Sequence, residues 1–229
     1  MPSNRSMVST RRPESAGWTC GKWTPSSSAK WIDVFCEAGA FSPEQTRAIL
    51  LAGQAAGMLP RIHANQLSRT TSVALAIELG AASADHLSAS SDADIEALAA
   101  STTVATLLPG AEFSTQHEGK LGRRFLDAHA QVAIATDCNP GSSFTTSMPF
   151  CIAAAVSLLG FTVEEAVHAA TAGGAAALRR SDIGTLAIGS RADIAILKSP
   201  SYIHLAYRPG ADLVETTLKA GRKVKTWQK

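Results

Sequence analysis

Histidine and aspartate side chains follow short apolar runs at three places in this sequence. His63 ends the run "LPRIH", His86 ends "AASADH" and Asp137 ends "VAIATD". Imidazole nitrogen and carboxylate oxygen are ligands that Zn²⁺ and Fe²⁺ accept in catalytic sites. If the runs are parallel strands, their carboxyl ends share one edge of the sheet, which is where active sites form in such folds. The sequence therefore predicts a metal site at this edge, with His63 and Asp137 as ligands.

Each of these side chains also has a purely structural interpretation. His63 could be a hydrogen-bonded core histidine, and Asp137 could cap a turn or a helix. His86 could polarise a substrate carbonyl or orient a water, or it could cap the next turn together with Asp85. Two ligands are also fewer than a catalytic metal normally has. On spacing alone, both interpretations stay open.

Several neighbouring groups could act at the same edge. Glu37 and Gln66 follow the first two apolar runs, and Glu37 could equally be a structural partner. Gly141 and Ser142 could offer backbone N–H groups to an anionic ligand, or they could form only a turn. No positioned base accompanies Cys138, so we expect a buried packing residue there and not a nucleophile.

A parallel sheet is needed to position these residues, and the chain carries a pattern for one. The predicted strands end at Phe35, His63, His86, Leu107 and Asp137, so successive ends are 28, 23, 21 and 30 residues apart. That spacing is typical of βα units, and the apolar runs indicate strands buried on both faces. Five units are fewer than a closed eight-stranded barrel has, and no G-x-G-x-x-G follows any run.

Helix signals lie between the predicted strands. Ser42 is the predicted N-cap of a helix over 41–57, with Pro43 at its first position and Gln45 completing a capping box. Thr162 and Glu165 form a second capping box. The remaining helices are predicted over 70–80, 91–101, 121–130, 148–160 and 162–178.

Two regions interrupt the alternation of strands and helices. A strand over 102–110 is broken by Pro109 and Gly110, and a polar loop is predicted after it. Near the C-terminus, 182–197 and 212–224 are β-rich stretches with glycine turns. They predict a separate small sheet.

Composition limits the class of function. The chain has 229 residues, of which 45% are hydrophobic, and a net charge of +2. That is enough for a good-sized core and gives no sign of a nucleic-acid partner. The longest apolar run, 148–161, is too short to span a bilayer and predicts a buried helix. Four cysteines without a C-x-x-C pair favour a reducing, cytoplasmic location.

The first thirty residues differ from the rest of the chain. Residues 1–30 are rich in Ser and Pro, with five Lys or Arg against one Glu and no apolar signal-peptide core. A transit peptide would share this composition, but prolines and tryptophans disrupt its amphipathic helix. The composition therefore predicts a disordered head, or a start that does not belong to the fold.

Six segments resemble the imidazolonepropionase family of the metal-dependent amidohydrolase superfamily. They are "DVFCEAGAFS", "IHANQLS", "SADHL", "LLPGAEF", "ATDCNPGSS" and "IGTLAIGSRADIAIL", in family order over roughly residues 31–229. The resemblance implies that 31–180 form about strands 4–8 of a (β/α)8 TIM-type barrel, and that 181–229 are C-terminal strands of a composite β-sandwich. It also implies hydrolysis of the cyclic amide of 4-imidazolone-5-propanoate to N-formimino-L-glutamate, a step in histidine degradation.

The resemblance assigns the metal site residue by residue. His63 matches the metal-binding histidine of the fifth strand, and Asp137 matches the metal-binding aspartate of the eighth. His86 matches a sixth-strand histidine near the substrate, where it would stabilise the oxyanion. The implied cofactor is one divalent metal, zinc or iron, because no lysine ends the "DVFCE" strand to bridge a second ion. Asp137 is then the implied base and proton shuttle.

The resemblance also assigns the substrate contacts. Asn139, Gly141 and Ser142 match the loop that holds the polar end of the ligand. Gln66 matches a position that is Glu in some members and Gln in others. Since an amide cannot take up a proton at any working pH, Gln66 would orient the water or the ring. The implied partner is a small-molecule substrate, and a homodimer stays open as the assembly.

The sequence also departs from the family pattern. The family carries an H-x-H metal-binding pair after its first strand, and this sequence contains none. Trp31 falls near the fourth strand, so the chain resembles the C-terminal half of the enzyme. We expect either a hydrolase whose other half lies elsewhere or a non-catalytic remnant. Another cyclic-amide hydrolase or a deaminase of the superfamily is a third alternative, although deaminases carry Glu at the position of Gln66.

Overall fold

Five apolar runs pair side by side as parallel strands. The computed structural model describes residues 29–116 and 120–224, so nearly all of the head predicted over 1–30 lies outside the described residues. The strands are β1 (Trp31–Cys36), β2 (Leu59–Ala64), β3 (Ser83–His86), β4 (Val104–Leu107) and β5 (Val132–Ile134), and they pair in sequence order. Successive strands are adjacent without the reversal of a doubly wound sheet, as in a βα-barrel. The predicted parallel α/β sheet is confirmed.

Helices connect successive strands, as the local signals predict. Both capping boxes are confirmed, with Ser42 and Gln45 at one helix start and Thr162 and Glu165 at another. The helix predicted over 148–160 is present and largely buried, and it ends at Gly160 in the left-handed conformation. The helices are α1 (Pro43–Ala55), α2 (Ser72–Glu78), α3 (Asp92–Ala99), α4 (Pro109–Thr115), α5 (Leu121–Asp127), α6 (Met148–Leu159), α7 (Val163–His168), α8 (Gly174–Ala177) and α9 (His204–Tyr207).

A π-helical turn (Ala169–Gly173) joins α7 to α8. Gly173 in this turn lies against β5, and a Cβ at this position would fall well inside contact distance of the Val132 carbonyl oxygen. Because glycine has no side chain, the two backbones can approach closely. The turn therefore packs directly on the strand that leads to Asp137.

The main core lies on one face of the sheet, between the strands and the helices. Val34 and Ile62 are buried on this face, whereas Asp33 and Phe35 on the opposite face of β1 are exposed. The predicted burial on both faces is therefore wrong for β1 and for β2, because helices cover only one of their faces among the described residues. It holds for β4 and β5, whose residues are all buried.

Two local predictions are wrong near the carboxyl ends of β4 and β5. The polar loop predicted after Pro109 is helix α4, because Pro109 starts a helix that ends at left-handed Gln116. Strand β5 stops at Ile134, three residues before Asp137. The Ala135 N–H still donates to the Leu107 carbonyl, but β4 ends there and the pairing stops with it.

The C-terminal segment forms a small antiparallel sheet. Its strands β6 (Ile194–Leu197), β7 (Val214–Lys219) and β8 (Arg222–Lys223) pair in that order. The β-rich stretch predicted over 212–224 is confirmed, whereas 182–193 contains no strand. Gly184 and Gly189 have φ of 86° and 92° there and interrupt the extended backbone. Within 29–116 and 120–224, the longest apolar helices fall short of what crossing a membrane requires.

Candidate active site

Three side chains from different strands converge at the carboxyl edge of the sheet. His63 lies near the end of β2, His86 ends β3, and Asp137 follows β5. Their ligand atoms all lie within 4.8 Å of one another. Nε2 of His86 is 3.8 Å from Oδ2 of Asp137, and the His63 and His86 ring centroids are 5.1 Å apart. The sequence-predicted residues are therefore brought together.

Left-handed backbone marks the ends of the strands that carry these residues. Among non-glycine residues, Asn65, His86, Leu87 and Asp137 have φ of 48°, 76°, 68° and 48°. Non-glycine residues with such positive φ angles are uncommon and store backbone strain, and they cluster at functional sites. His63 pairs in register with Asp85, so simple alternation would direct His86 to the opposite face. The left-handed turn at His86 ends that alternation and lets its ring approach His63.

Asn139 holds the Asp137 carboxylate. The Asn139 amide Nδ2 donates to Oδ2 of Asp137 at 3.0 Å and to the Asp137 carbonyl at 2.7 Å. Cys138 between them is exposed, so the predicted burial of this thiol is wrong: the segment has already left the sheet. Asp137 is thus fixed by its own loop and not by a strand ladder.

The loop after Asp137 is built around the same asparagine. Oδ1 of Asn139 accepts hydrogen bonds from the Gly141 and Ser142 backbone N–H groups at 2.7 and 2.9 Å. These two donors therefore serve the turn in this structure. The Ser142 hydroxyl, which accepts a long 3.3 Å bond from Asn139, is the more available group for a ligand.

A cavity of about 200 Å³ lies beside the cluster and contains Gln66 and His86 in its wall. Glu112 of α4 also lines it, is buried, and accepts a hydrogen bond from the Ser88 hydroxyl. The remaining lining residues are Leu67, Ser88, Ala111 and Thr115. The sequence analysis missed Glu112 because it placed this segment in a polar loop; the "LPGAE" helix start was the available signal.

Glu37 is a structural partner of the loop that carries Gln66. Its carboxylate accepts hydrogen bonds from the Leu67 and Ala38 N–H groups at 2.9 Å and from the Ser68 N–H at 3.3 Å, and the Ser68 hydroxyl also donates to it. Burial raises the Glu37 pKa, but these hydrogen bonds outweigh it and the pKa is lowered. Of the two alternatives left open by the sequence, the structure favours the structural one.

The two histidines of the cluster have pKa values shifted in opposite directions. Burial lowers the pKa of His63, but Asp33, followed by Asp85 and Asp137, outweighs this and raises the pKa to about 9. Burial and the neighbouring His63 charge lower the pKa of His86 to about 3. Burial also raises the Asp137 pKa, against the attraction of His63. A metal ligand must be deprotonated, so metal binding would release the His63 proton.

Asp33 is a second residue that the sequence analysis missed. Its Oδ2 lies 2.8 Å from Nδ1 of His63. Asp33, His63 and Asp85 also place ligand atoms within 4.8 Å of one another. The available signal was a charged residue inside the apolar run "WIDVFC", two positions before Phe35, which pairs with His63.

The donor set of the first cluster fits a divalent transition metal. Two ligands about 2.1 Å from a shared tetrahedral ion would be roughly 3.4 Å apart. The 3.8 Å separation between His86 and Asp137 is too long for a hydrogen bond and close to that value. His63 and Asp137, whose ligand atoms also lie within 4.8 Å of each other, supply nitrogen and oxygen donors of the kind that such an ion accepts.

The chain is similar in sequence to a known protein family and to curated enzymes. A family model described as "Amidohydrolase family" matches residues 26–227. The imidazolonepropionase of Streptomyces avermitilis is 62% identical over 197 residues, which are 86% of this chain and 48% of that protein. The imidazolonepropionase of Mycolicibacterium smegmatis is also 62% identical, over 88% of this chain and 50% of that protein. The chain therefore spans about half the length of the curated relatives it matches.

Solved structures support the fold at low sequence identity. A zinc-bound adenosine deaminase from Xanthomonas campestris matches 85% of this chain and 51% of its own, with a TM-score of 0.69 and 18% identity. An atrazine chlorohydrolase from Arthrobacter aurescens complexed with zinc matches 82% of this chain and 48% of its own, with a TM-score of 0.65 and 18% identity. At this identity the likeness concerns the fold alone, and it fits part of a TIM-type barrel.

Proposed function

We propose that this chain, which belongs to the amidohydrolase family, carries part of the active site of an imidazolonepropionase. The reaction would add water across the cyclic amide of 4-imidazolone-5-propanoate, breaking the ring C–N bond and moving a proton to the ring nitrogen. The product would be N-formimino-L-glutamate. One observation carries the proposal: His63, His86 and Asp137 converge within 4.8 Å in a chain 62% identical to imidazolonepropionases.

The proposed cofactor is one zinc or iron ion held by His63 and Asp137. When bound, such an ion lowers the pKa of a coordinated water towards about 7. Zinc is bound in the adenosine deaminase and in the atrazine chlorohydrolase that share this fold, which supports a divalent metal here. A single ion is proposed because a lysine does not end strand β1, where a two-metal site would need a bridging group.

Asp137 is the proposed base and proton shuttle. Its carboxylate lies at the cluster, and burial raises its pKa, which favours proton uptake. Asn139 keeps the carboxylate in place by donating to Oδ2 at 3.0 Å. Asp137 would take a proton from the attacking water and deliver it to the ring nitrogen that leaves.

His86 is proposed to donate a hydrogen bond to the oxyanion formed at the ring carbonyl. The imidazole is neutral at working pH because its pKa is lowered to about 3 by burial and by His63. A neutral ring still carries one N–H donor. In a buried site such a donor stabilises developing negative charge without prior reorganisation.

Gln66, Asn139, Gly141 and Ser142 are the proposed substrate contacts. Gln66 lines the cavity beside His86, where its amide could orient the water or the ring. The Asn139 side chain already accepts the Gly141 and Ser142 N–H groups, so substrate would meet the ordered turn and the Ser142 hydroxyl. A deaminase is the weaker candidate, because Gln66 cannot shuttle a proton as a glutamate would.

The finer architecture follows from the same proposal. We assign β1 to β5 to about strands 4–8 of a (β/α)8 barrel, and β6 to β8 to the C-terminal part of a composite β-sandwich. The remaining strands and the H-x-H ligands would come from the other half of the enzyme. Among the described residues, Cys36, Cys138 and Cys151 form no disulfide with one another. A reducing, cytoplasmic location is part of the same proposal.

The test is complementation. The 229-residue chain is mixed with the N-terminal half of the Streptomyces avermitilis relative, in zinc or iron, and loss of imidazolone absorbance is followed. We expect turnover in the mixture that Asp137→Asn abolishes and that Asp212→Asn, an exposed control, leaves unchanged. Turnover by the intact relative but none by any mixture would support the non-catalytic alternative.

A further inference from the structure

Asp33 lies one layer below His63 on the open face of the sheet. In the parallel register of β1 and β2, Phe35 pairs with His63 and Asp33 pairs with Arg61. Side chains two residues apart on a strand share a face, so Asp33 points to the side where His63 lies. Its Oδ2 reaches Nδ1 of His63 at 2.8 Å.

This contact involves only one of the two ring nitrogens. The Nδ1 atom is buried although the His63 side chain is 28% exposed, and its N–H is not aligned as a hydrogen bond to Asp33 in this structure. Nδ1 and Nε2 point to different edges of an imidazole ring. With Asp33 on the Nδ1 side, Nε2 is the nitrogen left for a metal shared with Asp137.

We propose that Asp33 is a positioning residue, which holds the His63 proton on Nδ1 so that Nε2 presents its lone pair to the metal. The inference rests on the proposed function. Carboxylates behind metal-binding histidines set the tautomer and ring orientation and raise ligand basicity, and their loss typically weakens metal binding about 10–100-fold. Asp33 would act through His63 without touching substrate.

A competing arrangement uses the same residues. Asp33, His63 and Asp85 also place ligand atoms within 4.8 Å of one another, so a cation bound lower on the sheet would have Asp33 as a direct ligand. The two arrangements predict opposite effects of an Asp137 substitution on metal binding, because Asp137 belongs only to the cluster of His63, His86 and Asp137. Comparing Asp33 and Asp137 variants therefore separates positioning from direct coordination.

The first measurement is Zn²⁺ affinity of the 229-residue chain, by competition with a chromophoric chelator. We expect Asp33→Ala to weaken Zn²⁺ binding about 10–100-fold and Asp137→Ala to weaken it more. Asp33→Asn should weaken it less than Asp33→Ala, because its amide oxygen keeps an acceptor beside Nδ1. Asp212→Ala, an exposed control, should bind as the wild type does. Equal affinity in Asp33→Ala, or loss of binding in Asp33→Ala while Asp137→Ala still binds, would overturn the proposal.

The second measurement needs no metal and no turnover. Long-range ¹H–¹⁵N NMR of the histidine rings, recorded above the raised pKa of His63, reports which nitrogen of the neutral ring carries the proton. We expect the Nδ1–H form in the wild type and the Nε2–H form in Asp33→Ala. An Nε2–H form in the wild type would refute the role of Asp33. A chain with the expected tautomer that binds no Zn²⁺ would instead contradict the proposed function and leave the Asp33–His63 relationship intact.

Discussion

Nε2 of His86 lies 3.8 Å from Oδ2 of Asp137, although β4 separates the two strands that lead to these residues. Two features bring the side chains together across the width of β4. His86 leaves its strand through a left-handed backbone turn, and Asp137 lies three residues beyond the end of β5. The site is therefore built by the loops at the carboxyl edge, supported by the strands beneath them.

Glu37 should stabilise the fold in a pH-dependent way. Its pKa in the folded chain is lowered below the ordinary value of about 4.3, so folding favours the carboxylate. This contribution is complete above the unfolded pKa and is lost as pH falls through the folded pKa. We expect Glu37→Gln to lower the free energy of unfolding by about 1–3 kcal/mol at pH 7, and the deficit to shrink below about pH 4.

Urea unfolding monitored by circular dichroism at several pH values would measure this. Glu96→Gln, an exposed change on α3, is the matched control and should stay near the wild type throughout. A Glu37→Gln deficit that stays constant from pH 7 to the acid limit would contradict the role of the ionised carboxylate.

Gly173 should tolerate no side chain. A Cβ there would collide with the Val132 carbonyl, and overpacking of this kind typically costs about 1–3 kcal/mol. Its neighbour Gly174 provides the control, since the nearest atom to a Cβ there is 3.9 Å away. We expect Gly173→Ala to lower the melting temperature and Gly174→Ala to leave it unchanged or raise it slightly. Equal melting temperatures would show that the close contact is unimportant.

Asn139 should contribute to metal binding as well as to the substrate loop. Asn139→Ala removes the hydrogen bond to Oδ2 of Asp137 and both bonds that order the turn at Gly141 and Ser142. We expect Zn²⁺ affinity to fall about 10-fold or more, as for other groups that orient a ligand. Ser142→Ala removes a 3.3 Å bond from Asn139 and a hydroxyl that acts on the Asp137 carboxylate, but it keeps Asn139 itself, so it should weaken Zn²⁺ binding less than Asn139→Ala. Similar Zn²⁺ affinities for both variants would show that Asn139 does not contribute to metal binding.

His86 should be needed for turnover and not for the metal. As an oxyanion donor, its loss in His86→Asn should lower kcat about 100–1,000-fold in the complemented mixture. Metal content, measured by mass spectrometry, should stay unchanged. Loss of the metal in this variant would make His86 a ligand, which its position within the cluster also allows.

The local parts of this fold could be predicted from the sequence. The capping boxes at Ser42 and Thr162 and the helix end at Gly160 depend on neighbours within a few residues, and all three are confirmed. The order of strands and helices follows from the same short-range signals. These predictions succeed because a helix end must satisfy its own backbone groups locally.

The site could be predicted only in part. His63, His86 and Asp137 could be predicted as candidates because a charged or polar residue after an apolar run is a local signal, and the structure brings the three side chains together. Asp33 was missed because its contact with His63 depends on the register between β1 and β2, which no local pattern specifies. The sequence also predicted wrongly that both faces of β1 are buried. Burial of a strand depends on which face the helices cover, and no local pattern specifies that either.

Zinc content tests most directly whether His63 and Asp137 hold a metal, as proposed. The chain and its His63→Asn, Asp137→Asn and His129→Asn variants are equilibrated with zinc, desalted and measured by mass spectrometry. His129 is an exposed histidine with a left-handed φ of 60°, which asparagine tolerates. We predict about one zinc per chain for the wild type and His129→Asn, and less than about a tenth of that for the other two. Equal zinc in all four proteins, or none in the wild type, would contradict the account.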